Sequence, residues 1–139
     1  MFSRFFKPRW QHTDAEVRAR AIDELNPLSD NDILATLARG DASARVRASA
    51  TGKLSDLKLL DQIIQRDPEQ SVRDAAGAQI QNLLAGIGQP GLSLENRLRV
   101  IALTDNQSVL GAVARLGVDS ATRLAAAEKL SDQASLMAL

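Results

Sequence analysis

Cysteine and tyrosine are both missing from this chain, and there is a single histidine, His12. Without cysteine, disulfides and thiolate metal sites are excluded. A metal site would have to lean on His12 with Asp14 and Glu16. A His-x-Asp-x-Glu run just before a helix reads instead as solvated capping surface, so no metal and no cofactor are expected. Charge of one sign is missing too: 17 basic and 17 acidic residues leave a formal net charge of zero. That removes any global pull toward nucleic acid or an anionic membrane and leaves only local patches. No apolar run approaches the roughly 18 residues a membrane span needs. The opening MFSRFFKPRW has neither a long apolar segment nor a small-residue cleavage site, so it does not read as a secretory signal, and a cytoplasmic protein is expected. No GxxxxGK or GxGxxG loop occurs and no Ser-His-Asp set stands out, so no catalytic residue is assigned and an enzyme is not expected.

Aromatic residues are few and oddly placed. All of them, Phe2, Phe5, Phe6 and Trp10, lie in the first ten positions. Everything after must build its core from Leu, Ile, Val and Ala, which suits closely packed helices better than sheets. With 139 residues, of which 45% are hydrophobic, one domain with a modest core is expected.

A repeat organises what is there. Four stretches share one pattern: VRARAIDEL from Val17, VRASATGKL from Val46, VRDAAGAQI from Val72 and TRLAAAEKL from Thr122. Each places an apolar or Thr residue, a small residue and a Leu or Ile at i, i+4 and i+8: Val17, Ala21, Leu25; Val46, Ala50, Leu54; Val72, Ala76, Ile80; Thr122, Ala126, Leu130. That spacing lays the three on one helix face, with the small central residue admitting a neighbouring helix. A Leu-Ser/Thr-Asp stop recurs at Leu54, Leu103 and Leu130, followed by a second helical stretch, and the segment from Asp32 plays the same part after Pro27. Each unit therefore reads as helix, tight turn, helix. The unit-defining arginines stand at 18, 47, 73 and 123, and the last gap leaves room for a further unit from Leu94, with Leu94, Leu98 and Ile101 expected on its buried side.

Helix starts fit the scheme. Thr13 and Glu16 form a Thr-x-x-Glu capping box, Asp67-Pro68 reads as a cap with proline at the first helical position, and Gln70 completes a similar pair with Asp67. Gly40 stands where a left-handed C-terminal residue is expected. The stretch from Ala85 to Ser93 holds three glycines and a proline and reads as a loop that follows an unusually long helix or replaces a missing one. Two regions are expected: an arm over 1–12, and a helical repeat domain over 13–139 with a Gly/Pro loop near 86–92. The fold expected is all-α, an α-solenoid of about five short helix pairs in a right-handed superhelix. The chain stops at Leu139 inside an apolar stretch, which points to further sequence beyond it as a partner for the last helix.

These units resemble HEAT and HEAT-like repeats, whose consensus carries Asp-Pro-x-x-x-Val-Arg-x-x-Ala. Asp67, Pro68, Val72, Arg73 and Ala76 match that run in full, and Asp41, Val46, Arg47 and Ala50 match it without the proline. The resemblance implies that Asp and Arg stitch adjacent repeats while Val faces the core. The units here, near 26 residues, are shorter than typical HEAT units. The opening residues also resemble the start of a group of bacterial cytoplasmic proteins of unknown function. Those join a HEAT-like region to a long charged helical C-terminal part.

Two sets of residues are candidates for partner binding. Arg18, Arg47, Arg73 and Arg123 sit at equivalent helix positions, where they either run along their helices to pair with an Asp of the next unit or form a positive face for phosphates. Arg20, Arg39, Arg45 and Arg66 are placed to extend such a face. Arg4, Lys7, Arg9 and Trp10 mark the arm, which either covers the apolar end of the first repeat or docks on a partner, a membrane surface or single-stranded nucleic acid. The function expected is a non-enzymatic scaffold for an unknown protein partner. The alternative is a nucleic-acid-binding solenoid that uses the arginines.

Overall fold

The computed structural model describes residues 8–88 and 92–138, with side chains described as far as Ala134. Among the described residues there are eight α-helices and no strand. A 3-10 turn, Arg9–Gln11, leads into α1 (Ala15–Ile22), α2 (Asn31–Gly40), α3 (Ala44–Thr51), α4 (Leu57–Arg66), α5 (Gln70–Ala85), α6 (Leu94–Leu103), α7 (Gln107–Leu116) and α8 (Ser120–Ala138). The all-α class expected from the aliphatic composition is therefore what forms. No described helix is long and apolar enough to cross a membrane.

The described residues fall into two compact units, one up to Gln79 and one from Ile80 on. The boundary lies inside α5. In the first unit α1 and α2 both pack on α3. Its core holds Ile22, Leu34, Val46, Ala50, Leu54, Leu60, Val72 and Ala76. In the second unit α6 and α7 both pack on α8. Its core gathers Leu84, Ala85, Ile101, Val109, Leu110, Val113 and Ala126. The same arrangement thus recurs: a first helix lies on the first helix of the next pair, with the second helix of the pair against it. The repeated stripes make this work. Ala50, Ala76 and Ala126 are fully buried and Ala21 nearly so, and their small size is what lets the helices close.

Several expected boundaries shift, each for a local reason. Asp14, not Thr13, caps α1, its carboxylate accepting the amide of Glu16. A charged acceptor suits the positive end of a helix better than a hydroxyl. Glu16 turns away to Arg45 and Arg20. Asp67 accepts the amide of Glu69, and α5 begins only at Gln70, so Pro68 precedes the helix, and Gln70 bonds Asp74 and Arg73 instead of Asp67. Gly40 is the last helical residue of α2, and the chain leaves through extended Asp41 without a left-handed step.

The left-handed step comes at Gly86, where φ is +82°. There the amide of Ile87 bonds the carbonyl of Asn82 and that of Gly86 bonds Leu83, which closes α5 with a Schellman motif. Gly88 has a positive φ as well; Gly91 and Pro90 lie outside the described residues. Leu94, expected on the buried face of α6, is 41% exposed, because it opens the helix at its solvated end; Ile101 is buried, and Arg97 is buried beside it. The Leu130-Ser131-Asp132 stop does not stop anything: α8 runs through it. Gly52 ends α3 two residues before Leu54, whereas Glu128, a good helix former, occupies the matching place in α8.

Candidate binding face

The repeated arginines all do one thing in common. Arg18 Nη1 donates to the carbonyl of His12 at 2.8 Å, Arg47 Nη1 to Asp41 at 2.9 Å, Arg73 Nη1 to Asp67 at 2.7 Å and Arg123 Nη1 to Gly117 at 2.8 Å, each six residues back. Every one of these guanidinium groups therefore ties its helix to the turn that precedes it. Such carbonyls lack a partner of their own, so a charged donor satisfies them well.

Two of the four also reach the next pair. Arg18 grips Asp41 with Nε and Nη2, both at 2.9 Å. Arg47 grips Asp67 the same way at 2.9 and 3.3 Å. These pairs are shielded, with side-chain exposures of 15% and 6% in the first and 12% and 7% in the second, so they lie far from the screened surface regime. The carboxylates respond. Burial pushes the Asp41 carboxyl up, but the Arg18 hydrogen bond, the Ser43 amide and the charges of Arg18 and Arg47 outweigh it and hold it below the ordinary value. Asp67 behaves alike, with burial opposed by Arg47, the Glu69 amide and the charge of Arg73. The Arg18 guanidinium is raised in turn, chiefly by its hydrogen bond to Asp41.

His12 occupies the same turn position as Asp41 and Asp67. Its Nδ1 accepts the amide two residues on, that of Asp14, as Asp41 accepts from Ser43 and Asp67 from Glu69. Among the described residues no group of three His, Asp or Glu side chains converges as a metal site would require.

Four further joints are not among the residues singled out from the sequence. Arg97 sits almost midway between Arg73 and Arg123. It is buried and spends its donors on the carbonyl of Leu92 at 2.6 Å, Thr122 Oγ1 at 3.3 Å and Asp119 Oδ2 at 2.9 Å. Asp119 is held below the ordinary value mainly by Thr122, side chain and amide, with help from Arg97. Six residues after Arg47, Arg73 and Arg123 stand Lys53, Gln79 and Lys129. Lys53 Nζ donates to the carbonyls of Ile22, Asp23 and Leu25, Gln79 to Leu54, and Lys129 to Ala102. Each thereby supplies donors to carbonyls at the end of an earlier helix or in the turn that follows it. A comparison of the repeats at that one column carries the signal.

The arm candidates divide. Arg4 and Lys7 lie outside the described residues. Arg9 pairs with Glu24 at 2.7 Å in the open, and the turn holding Arg9 and Trp10 packs against α1. Arg20 and Arg45 share Glu16. Arg39 and Arg66, in the last turns of α2 and α4, are exposed and form no hydrogen bond or ion pair among the described residues.

Those two cations flank a groove. A cavity of about 380 Å³ lies between the ends of α2 and α4, with Ala38, Leu59, Ile63 and Pro68 as its apolar lining and Arg39 and Arg66 at its sides. A second, more open depression of about 540 Å³ is lined by Trp10, His12, Thr36 and Leu37. Gly40 and Asp41 line both, so the two depressions adjoin within the first unit. Comparison of the chain with family models, curated proteins and solved structures gave no match.

Proposed function

We propose that this protein is a non-enzymatic interaction scaffold: a right-handed α-solenoid of short HEAT-like helix pairs, working in the cytoplasm, whose grooved face binds another protein. One observation carries the reading. The residues that recur from repeat to repeat, Arg18, Arg47, Arg73 and Arg123, are joints between helices and turns, with their donors spent on carbonyls six residues back. A chain that invests its recurrent polar residues in stitching is built to hold a shape, and a held shape is what a binding surface needs. A nucleic-acid role for the same arginines finds less support, since Arg18 and Arg47 are already neutralised by Asp41 and Asp67.

The test has two stages. Proteins that co-purify with the chain are identified, and each is then made separately and titrated against the purified chain by calorimetry. A saturable one-to-one complex supports the scaffold. Absence of any direct complex, together with turnover of a small-molecule panel or salt-sensitive binding to DNA or RNA, would overturn it.

A further inference from the structure

We propose that the double groove along the ends of α2 and α4 binds an extended acidic peptide segment of a partner protein, with carboxylates on Arg39 and Arg66 and an apolar side chain against Trp10. This rests on the scaffold reading and names the chemistry of its partner. Charge decides the sign. The carboxylates that line the groove, Asp41 and Asp67, are consumed by Arg18 and Arg47. Arg39 and Arg66 remain over, exposed and without a partner among the described residues. The groove therefore carries a surplus of positive charge above an apolar lining of Ala38, Leu59, Ile63 and Pro68.

Shape decides the occupant. The two depressions adjoin at Gly40, which lines both and has open space where a side chain would stand: a Cβ there would meet nothing within 4 Å. Adjoining depressions with apolar and cationic stations suit an extended chain that alternates apolar and acidic side chains. A nucleic acid strand fits less well, because it needs a longer run of cations and more than one stacking ring. The arm of the same chain, with Arg4, Lys7 and Arg9, has the wrong sign.

The test uses a random dodecapeptide library displayed on phage and selected on the full chain. Enriched peptides should carry at least two Asp or Glu around an apolar residue. A synthetic peptide from that set should bind about tenfold more weakly to the Arg39→Gln/Arg66→Gln double variant and to Gly40→Leu, and unchanged to Arg115→Gln, a cation of the other unit. None of the variants should melt below the parent, because none of the replaced side chains has a partner to lose, and Leu at helical position 40 is a better helix former than Gly. Peptides that bind every variant alike overturn the groove and leave the scaffold standing. Enrichment of basic or uncharged peptides, a library that yields no binder, or a single-stranded oligonucleotide that binds in the peptide's place with the same sensitivity to Gly40→Leu each overturn the proposal.

Discussion

The backbone carbonyl of Asp41 accepts a hydrogen bond from Arg47 at 2.9 Å, while the carboxylate of the same Asp41 is gripped by Arg18. One residue thus takes a guanidinium from the pair before it and another from the pair it opens. Arg47 passes the linkage on to Asp67, whose carbonyl is in turn held by Arg73. The stability of the first unit should depend on these shielded contacts far more than on the charges in the open.

Removing one partner of such a pair leaves the other desolvated and unmatched. Replacing Asp67 by Asn, or Arg47 by Met, should lower the unfolding free energy by about 2–3 kcal/mol each, somewhat less than breaking a fully buried pair costs, because both side chains keep some contact with water. A double-mutant cycle in urea should return a coupling of about 1–2 kcal/mol. The exposed pair Arg9–Glu24 is the control: Glu24→Gln should change stability by less than about 0.5 kcal/mol. Equal effects at the two pairs would contradict the role given to burial.

Acid should unfold the chain through the same carboxylates. Asp41, Asp67 and Asp119 all have folded-state values below the ordinary aspartate value of 3.8. A carboxylate depressed by folding contributes stability that is fully present above its unfolded value. That contribution is lost as the pH falls through the folded value, because the native state must then take up the proton that the unfolded state already holds. Stability measured by urea midpoints should therefore be flat with respect to these groups from neutral pH down to about pH 5, and should drop below about pH 4. The Asp41→Asn/Asp67→Asn variant should be less stable at pH 7, and its curve should slope less below pH 4. A parent whose stability rises on acidification would refute the linkage.

Lys53 offers a test of a joint that helical spacing does not reveal. Its ammonium covers three carbonyls at the end of α1 and the turn after it, at 2.9, 3.2 and 2.7 Å. Lys53→Met keeps the stem and removes the donors, so a loss of about 1–2 kcal/mol is expected from charge-assisted bonds to carbonyls. Amide hydrogen exchange should accelerate first in residues 22–26. An unchanged exchange rate there would show that water replaces the ammonium without cost.

How much of this is legible in the sequence follows from which forces are local. Val46 and Ala50 stand one turn apart within α3 and are fully buried as helical spacing predicts, whereas Leu54, expected on the same helix face, is fully buried from the turn that follows the helix. The Asp56 cap is equally local and forms as the sequence suggests, accepting the amides of Lys58 and Leu59. Arg97 is hidden because Glu95, Asn96 and Arg99 surround it with polarity, so the leucines of its helix look like the buried face. Its burial is decided by Thr122 and Asp119, more than twenty residues away. The tripeptide Leu-Ser-Asp follows the end of a helix at Leu54 and lies within one at Leu130, so those three residues alone do not determine where a helix stops. The groove beside Arg39 and Arg66 is a property of two helix ends brought together, and no spacing within either helix encodes it.

Three glycines separate conformational need from empty space, and alanine at each gives a different expected outcome. Gly86 fails on both counts: its φ of +82° disfavours any L side chain, and a Cβ would lie 2.6 Å from Val118 Cγ1 and 3.1 Å from the Arg97 guanidinium carbon. Gly117 needs no positive φ, but a Cβ there would stand 2.8 Å from the backbone oxygen of Val113, which cannot swing aside, and 2.9 Å from the Arg123 stem on its way to the Gly117 carbonyl. Gly86→Ala should cost about 2 kcal/mol or more, from backbone strain of about 1–2 kcal/mol plus displacement of Val118 and Arg97. Gly117→Ala should cost about 1–3 kcal/mol through crowding alone. Gly40→Ala adds a methyl group to open space at a helical position, where alanine is the better helix former, so it should stabilise by up to about 1 kcal/mol. Urea titrations of the three variants give the order directly. A Gly40→Ala chain weaker than the parent would mean that the space over residue 40, on which the peptide site relies, is not free.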